Sequence, residues 1–254
     1  MKTVKHPVTG RIMTLVATRK LTPSSDTSIK HVPVKLPKAI VFFIGGAGDK
    51  RPFILGEYPQ NTIDPNFNMR DVADDLVKKY EGKIKEGVIL ADRVETYFGY
   101  YEIYGDDRIR ANILPLIKTK SQKIIIIGHS LGGWNGIWLS KKLSDWGYCV
   151  ELLLTLDPVG TGVVVETFSD IYKETPIGDA SIWVNLEYAL NTDRSDAVAL
   201  AGGRFNPKGR RVPLPNDPDV NEKVLINHLA TADAMNCKLS TGENAWDYVD
   251  YALK

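Results

Sequence analysis

Lys123-Ile124-Ile125-Ile126-Ile127-Gly128-His129-Ser130-Leu131-Gly132-Gly133 is the stretch on which the fold turns. Four consecutive isoleucines read as a strand buried on both faces, since a half-exposed strand would alternate apolar and polar residues. The run passes directly into Gly128-His129-Ser130-Leu131-Gly132, a G-x-S-x-G pattern. Leu131 to about Trp146 then has the composition of a helix. The five-residue pattern alone occurs often by chance. Between a buried strand and a helix it marks a sharp turn that lifts a serine to the top of a sheet, at the positive end of the helix. The alternative reading is a tight turn whose serine only caps the helix.

Working outward, Ala39–Ile44 is a second continuous apolar run, ending abruptly in Gly45-Gly46-Ala47-Gly48-Asp49. Val150–Leu156 and Ser181–Leu190 read as further strands, as do Arg11–Thr18, His31–Leu36 and Arg93–Tyr101. The short apolar Val224-Leu225-Ile226 fits the last strand of the sheet. Helices are predicted from near Asn66 or Asn68, from Asp106 or Asp107 to about Lys118, and over Gly242–Leu253. Asn191 to Asn227 is polar, rich in Gly and Pro, and reads mostly as loop, with a lid as one use for it. Strands alternating with helices predict an α/β fold, a mostly parallel central sheet flanked by helices on both faces. The expected organisation is one domain over residues 1–254.

Composition narrows the function classes. Hydrophobic residues are 43% and charged residues 25% of the 254 residues, as in ordinary globular chains. The net charge is only +1, without the basic excess of a general nucleic-acid binder, so no nucleic-acid partner is expected. Two cysteines exclude a disulfide-rich scaffold. The N-terminal MKTVKHPVTGRIM lacks the apolar core of a signal peptide, which leads to the expectation of a cytoplasmic protein or one exported without a cleaved signal. Neither H-E-x-x-H nor paired C-x-x-C occurs, so no metal and no cofactor is expected.

A serine nucleophile needs a base, and there are four histidines. His6 and His31 precede the first long buried strand, and His129 adjoins the serine on a turn whose neighbours point in different directions. His228 remains, downstream of the candidate last strand. A capping or surface histidine is the bland alternative. For the acid that orients the imidazole, Asp157 ends the strand VELLLTL and is followed by Pro158, and Asp193 beyond the next strand is the competitor. A tetrahedral oxyanion needs two preorganised N–H donors. Leu131 supplies one by position, and Gly46 or Ala47 supplies the other from the glycine-rich loop. A phosphate cradle in that loop is the runner-up, but the full G-x-x-x-x-G-K-[ST] spacing is missing. Asp49 either braces this loop or faces solvent.

Together the pieces resemble the α/β-hydrolase superfamily, and within it the lipase branch. Gly128–Gly133 (GHSLGG) is similar to the lipase elbow. Leu156–Gly160 (LDPVG) resembles the segment carrying the catalytic aspartate in the pancreatic lipase family, and Ile226–Leu229 (INHL) the segment carrying the histidine. The resemblance implies Ser130, Asp157 and His228 as a catalytic triad and acyl transfer to water. Its substrate would be an acyl ester or lipid, with a transient membrane-surface contact. Pancreatic-type lipases are secreted, disulfide-bonded and carry a second β domain. With no signal-like segment, two cysteines and 254 residues, this chain is expected to depart on all three counts, and it is more similar to small bacterial lipases and esterases, including phospholipase effectors of contact-dependent secretion systems. A thioesterase or amidase on the same triad, or a non-catalytic binding module of the same fold, are the competing classes. The sequence names no protein partner.

Three features are candidates for shaping a substrate pocket. Val163, Val164 and Val165 follow the acid closely, with Phe168 beyond them. Tyr97, Phe98, Tyr100, Tyr101 and Tyr104 cluster past a strand end. Valines and aromatics of this kind are more often core. The third is the segment Asn191 to Asn227 as a lid, whose Arg204, Lys208, Arg210 and Arg211 read as a solvated loop more readily than as an anionic-lipid contact.

Overall fold

The computed structural model describes residues 2–5, 12–15, 36–54, 62–63, 65–205 and 217–254. The chain forms two compact units, Met1–Val34 and Lys35–Lys254. In the first, β1 (Lys2–Lys5) and β2 (Ile12–Leu15) pair antiparallel. The second begins with β3 (Ala39–Gly45), followed by the short antiparallel pair β4 (Phe53–Ile54) and β5 (Thr62–Ile63). Then come α1 (Asn68–Lys79), α2 (Glu81–Lys85), β6 (Ile89–Leu90), β7 (Tyr97–Gly99), α3 (Asp106–Asn112) and β8 (Lys123–His129). After these follow α4 (Leu131–Asp145), β9 (Val150–Leu156), α5 (Val163–Phe168), β10 (Ile182–Tyr188) and α6 (Arg194–Ala201). The chain ends with β11 (Val220–Val224), α7 (Thr231–Asn236) and α8 (Ala245–Ala252).

Seven strands make the central sheet, in the order β11-β10-β9-β8-β3-β6, with β7 also pairing to β3. Every pairing in it is parallel. Central strands in such a sheet are covered twice, which is why AIVFFI and IIII run apolar without alternation. Ile40, Phe42, Ile44, Ile124 and Ile126 pack on one side with Ile109 of α3 and Trp134, Ile137 and Leu143 of α4. Val41, Phe43, Ile125, Ile127 and Leu154 pack on the other with Met69, Val72 and Leu76 of α1 and Val249 of α8. Each fully buried side chain of this size contributes about 1.5–3 kcal/mol. This is the predicted α/β architecture with helices on both faces, and it is compatible with an α/β-hydrolase arrangement.

The order of the strands creates one special place. From β3 the chain crosses by α1 to β6 and β7 on one side, then returns by α3 to β8 on the other. The connections therefore diverge beyond the carboxyl ends of β3 and β8, where an open α/β sheet leaves a crevice. Gly46 follows the end of β3, and Ser130 follows the end of β8.

Several elements differ from the sequence reading. Arg93–Tyr101 is strand only at Tyr97–Gly99, because Asp92 accepts hydrogen bonds from the N–H groups of Val94 and Glu95 and closes a turn. The helix expected to reach Lys118 stops at Asn112, since Pro115 cannot donate to an α-helical ladder and sits in a 3-10 turn over Leu114–Leu116. The last strand is Val220–Val224, not Val224–Ile226. It reads as polar because it is an edge, paired through Asn185–Asn221 and Lys223–Glu187 contacts. The C-terminal helix starts at Ala245, where Asn244 caps it.

The stretch Asn191 to Asn227 is not mostly loop where it is described, since it carries α6 and β11. Residues 206–216 of the expected lid lie outside the described residues. So do the expected strand over His31–Leu36, except Leu36, and the flanks of the Arg11–Thr18 strand. No helix among the described residues is long and apolar enough to cross a membrane.

Candidate active site

Ser130 adopts φ 56°, ψ −127° between β8 and α4. That backbone conformation is rare for a residue with a Cβ and is tolerated only where the surroundings enforce it. Here the Ser130 N–H donates to Leu156 O at 3.1 Å, and its carbonyl accepts from the N–H groups of Trp134 and Val159, both at 3.1 Å. The turn also demands a bare backbone at Gly132, where a Cβ would stand 2.3 Å from the carbonyl oxygen of Ile44. Helix α4 thereby starts tight against the end of β3. The Ser130 side chain makes no capping bond to α4, so capping does not account for it.

The Ser130 hydroxyl instead lies 3.0 Å from Nε2 of His228. Nδ1 of His228 lies 2.7 Å from Oδ2 of Asp157. A carboxylate oxygen accepts, so Nδ1 carries the ring proton and Nε2 presents its lone pair to the hydroxyl. All three residues are buried, with Ser130 6% and His228 5% exposed. Asp157 is fully buried, also in a left-handed conformation (φ 43°), with its N–H on Leu186 O and its Oδ1 accepting from the N–H of Tyr188 at 3.1 Å. Of the three non-glycine residues with positive φ among the described residues, two are Ser130 and Asp157. The competitor Asp193 is elsewhere employed: it caps α6 by accepting from the N–H groups of Ser195 and Asp196, and the hydrogen bond from the Ser195 hydroxyl holds its carboxyl below the usual range.

The expected oxyanion donors flank the serine. Leu131 is the first residue of the 15-residue helix α4, so its N–H has no carbonyl four residues back, and the helix dipole favours negative charge there. Gly46 is pressed against Ser130: a Cβ on it would meet Ser130 Cβ at 2.6 Å and Ser130 Oγ at 3.1 Å. Ala47, the other expected donor, is half-buried beside it. Asp49 does not face solvent but braces this loop. Its Oδ1 accepts from the Tyr97 hydroxyl at 2.6 Å and its Oδ2 from the N–H of Met69 at 3.2 Å. Burial pushes the Asp49 carboxyl from its ordinary 3.8 up to about 6, against the lowering effect of the Tyr97 bond. The tyrosine cluster is thus mostly structural, with Tyr97, Phe98 and Tyr100 in the core.

Three supporting residues escape sequence reasoning. Asp196 is fully buried on α6 and accepts the backbone N–H of His228 at 2.7 Å. Arg204 is not a solvated loop cation but a buried partner of the acid, its Nε 3.0 Å from Asp157 Oδ2 and its side chain 11% exposed. It is held there because the segment after α6 docks on the segment after Asp157, through Gly160 N–H to Gly203 O and Phe205 N–H to Pro158 O. His129 points its ring at the other side of His228, with Nε2 donating to the His228 carbonyl at 2.7 Å. Neither Asp196 nor Arg204 belongs to a spacing that sequence alone would flag. His6, His31, Lys208, Arg210 and Arg211 lie outside the described residues. Val163, Val164 and Phe168 fall on α5, and their side chains lie outside the described residues as well.

No protein-family model, curated protein or solved structure gives a significant match to this chain.

Proposed function

We propose that this protein is a serine hydrolase of the α/β-hydrolase type that cleaves acyl esters, a lipase, phospholipase or carboxylesterase. The observation that carries the reading is the continuous relay from Ser130 Oγ to His228 Nε2 at 3.0 Å and from His228 Nδ1 to Asp157 at 2.7 Å. It stands at the sheet edge where an open α/β fold offers a crevice. The motifs GHSLGG, LDPVG and INHL, similar to those of the lipase branch, support the same reading.

In this mechanism Ser130 Oγ attacks the ester carbonyl carbon as its proton moves to His228 Nε2. Asp157 stabilises the imidazolium and keeps it aimed. The oxyanion forms against the N–H of Leu131 and an N–H of the Gly46–Ala47 turn, beside the positive end of α4. Collapse of the tetrahedral intermediate expels the alcohol, which takes the proton from His228, and leaves an acyl-Ser130. A water then gives a proton to His228 and attacks the acyl carbon, and the second collapse releases the acid and returns the proton to Ser130.

The test is covalent labelling with a fluorophosphonate, alongside hydrolysis of acyl esters of graded chain length and of phospholipid vesicles. The parent is expected to label at Ser130 and to turn over an oxygen ester. Ser130→Ala is expected to lose labelling and at least about 10³-fold in kcat. Folded parent protein that neither labels nor hydrolyses any ester would remove the hydrolase reading. A thioester or amide cleaved faster than every ester would move the substrate class.

A further inference from the structure

We propose that Arg204 is a positioning residue that sets the pH at which the Ser130–His228 relay becomes active, by cancelling one of two buried carboxylates that face the histidine. The role rests on the hydrolase reading above. Its starting point is a charge count around one ring. Asp157 comes from the loop after β9 and meets the ring at Nδ1. Asp196 comes from α6 and meets the backbone N–H of the same residue. Both carboxylates are fully buried. From the end of β8, His129 lies against the ring, tilted by 41° at 4.6 Å between centroids. Burial and the neighbouring His228 hold His129 well below its ordinary value, so it adds no charge.

Two carboxylates around one imidazole would favour its protonated form strongly. A base that is already protonated accepts nothing from Ser130, so such a site would be idle except at high pH. Arg204 lies between the two. Its Nε donates to Asp157 Oδ2, the same oxygen that takes the His228 ring proton, and its Nη2 stands 3.8 Å from Asp196 Oδ1. That Nη2 makes no hydrogen bond among the described residues although it is buried. Its charge thus lies within reach of both carboxylates. A guanidinium stays charged at every working pH, so the compensation is permanent. With Arg204 the ring faces a net charge of minus one instead of minus two.

The experiment is the rate of fluorophosphonate labelling of Ser130 followed from about pH 4 to about pH 9, where the rate rises as the base loses its proton. Arg204→Gln should move the midpoint of that rise up by about one pH unit. Arg204→Lys, which keeps the charge, should leave the midpoint with the parent even if the plateau rate falls. Asp196→Asn should move it down. An Arg204→Gln midpoint that coincides with the parent overturns the proposal, whatever happens to the plateau, because a purely structural role lowers the rate without moving the titration. If Arg204→Gln does not fold, Asp196→Asn decides alone: a lowered midpoint supports the role and an unmoved one overturns it. Parent protein that does not label at any pH removes the hydrolase reading and this role with it, whereas a labelled parent with unmoved variants removes this role only.

Discussion

The imidazole of His129 donates from Nε2 to the backbone carbonyl of His228, 2.7 Å away. A carbonyl only accepts, and burial keeps the ring neutral, so the proton sits on Nε2. The residue preceding Ser130 thus grips the main chain of His228, while Asp196 grips the N–H of the same residue. His228 is held at its backbone N–H and at its backbone carbonyl as well as at its ring. His129→Phe keeps the stacking on Tyr188 but leaves a buried carbonyl without a partner. The expected cost is about 1–3 kcal/mol in stability, with a kcat/KM loss of about tenfold. Thermal denaturation and ester kinetics check this, and a variant equal to the parent in both removes the positioning role.

Asp157 and Asp193 separate cleanly by mutation. Asp157→Asn should lower kcat by about 10⁴-fold, since the amide fixes the wrong ring tautomer of His228. Asp193→Asn keeps a capping side chain on α6 and should leave kcat within about threefold, with a stability change under about 1 kcal/mol. Steady-state kinetics on a short-chain ester decides, and the reverse ranking reassigns the acid.

Backbone strain at Ser130, the proposed nucleophile, predicts a gain of stability when activity is lost. Ser130→Gly relieves φ 56°, ψ −127° at a residue whose side chain does not cap its helix. Stability is expected to rise by about 1 kcal/mol with labelling abolished. Urea denaturation measures the first and the covalent probe the second. A destabilised glycine variant would show that the Ser130 hydrogen bond outweighs the strain.

Gly46→Ala inserts a Cβ 2.6 Å from Ser130 Cβ. Two such atoms at that distance force the loop or the serine to shift by several tenths of an ångström. Because the affected groups are the nucleophile and an expected oxyanion donor, kcat should fall by about 10²-fold while the fold persists. Circular dichroism and kcat measured on the same preparation test this, and unchanged kcat places the second donor elsewhere.

Asp49 gives the protein a pH-dependent stability. Its carboxyl releases its proton near pH 6 when folded and near its ordinary 3.8 when unfolded. The folded state therefore binds the extra proton between these values, and stability from this group is full below about pH 4 and declines as pH rises through about 6. The full swing is about 3 kcal/mol. Asp49→Asn should remove it, becoming more stable relative to the parent as pH goes from about 4 to 7. Chemical denaturation at several pH values follows the difference, and a constant difference would place the titration elsewhere.

Much of the fold was legible because two-sided burial writes itself plainly: AIVFFI, KIIIIG and VELLLTL each became a central strand within a residue of the expected bounds. Edge elements were not. Val220–Val224 pairs through asparagines and a lysine–glutamate contact, so nothing in its composition separates it from loop. Arg93–Glu95 has strand-like neighbours, yet the Asp92 side chain captures its N–H groups.

The sequence by itself singled out Ser130 and His228 as candidates, because the serine follows a plainly apolar strand and only one of the four histidines lies downstream of it, and it left Asp157 and Asp193 both open as the acid. It also marked the glycine loop at Gly45–Gly48, although the need for a bare backbone at Gly46 comes from Ser130 at the end of the neighbouring strand. Only the tertiary structure decided which aspartate meets His228, that Asp49 braces the loop, and that Arg204 joins Asp157 rather than water. Such contacts join residues 20 to 71 positions apart, where chain spacing carries no signal. They depend on where α6 and the segments after β9 and β11 come to rest on the sheet edge. Strand formation is dictated by local pattern and burial, whereas a buried charge takes its partner from whatever the packed fold brings within hydrogen-bonding reach.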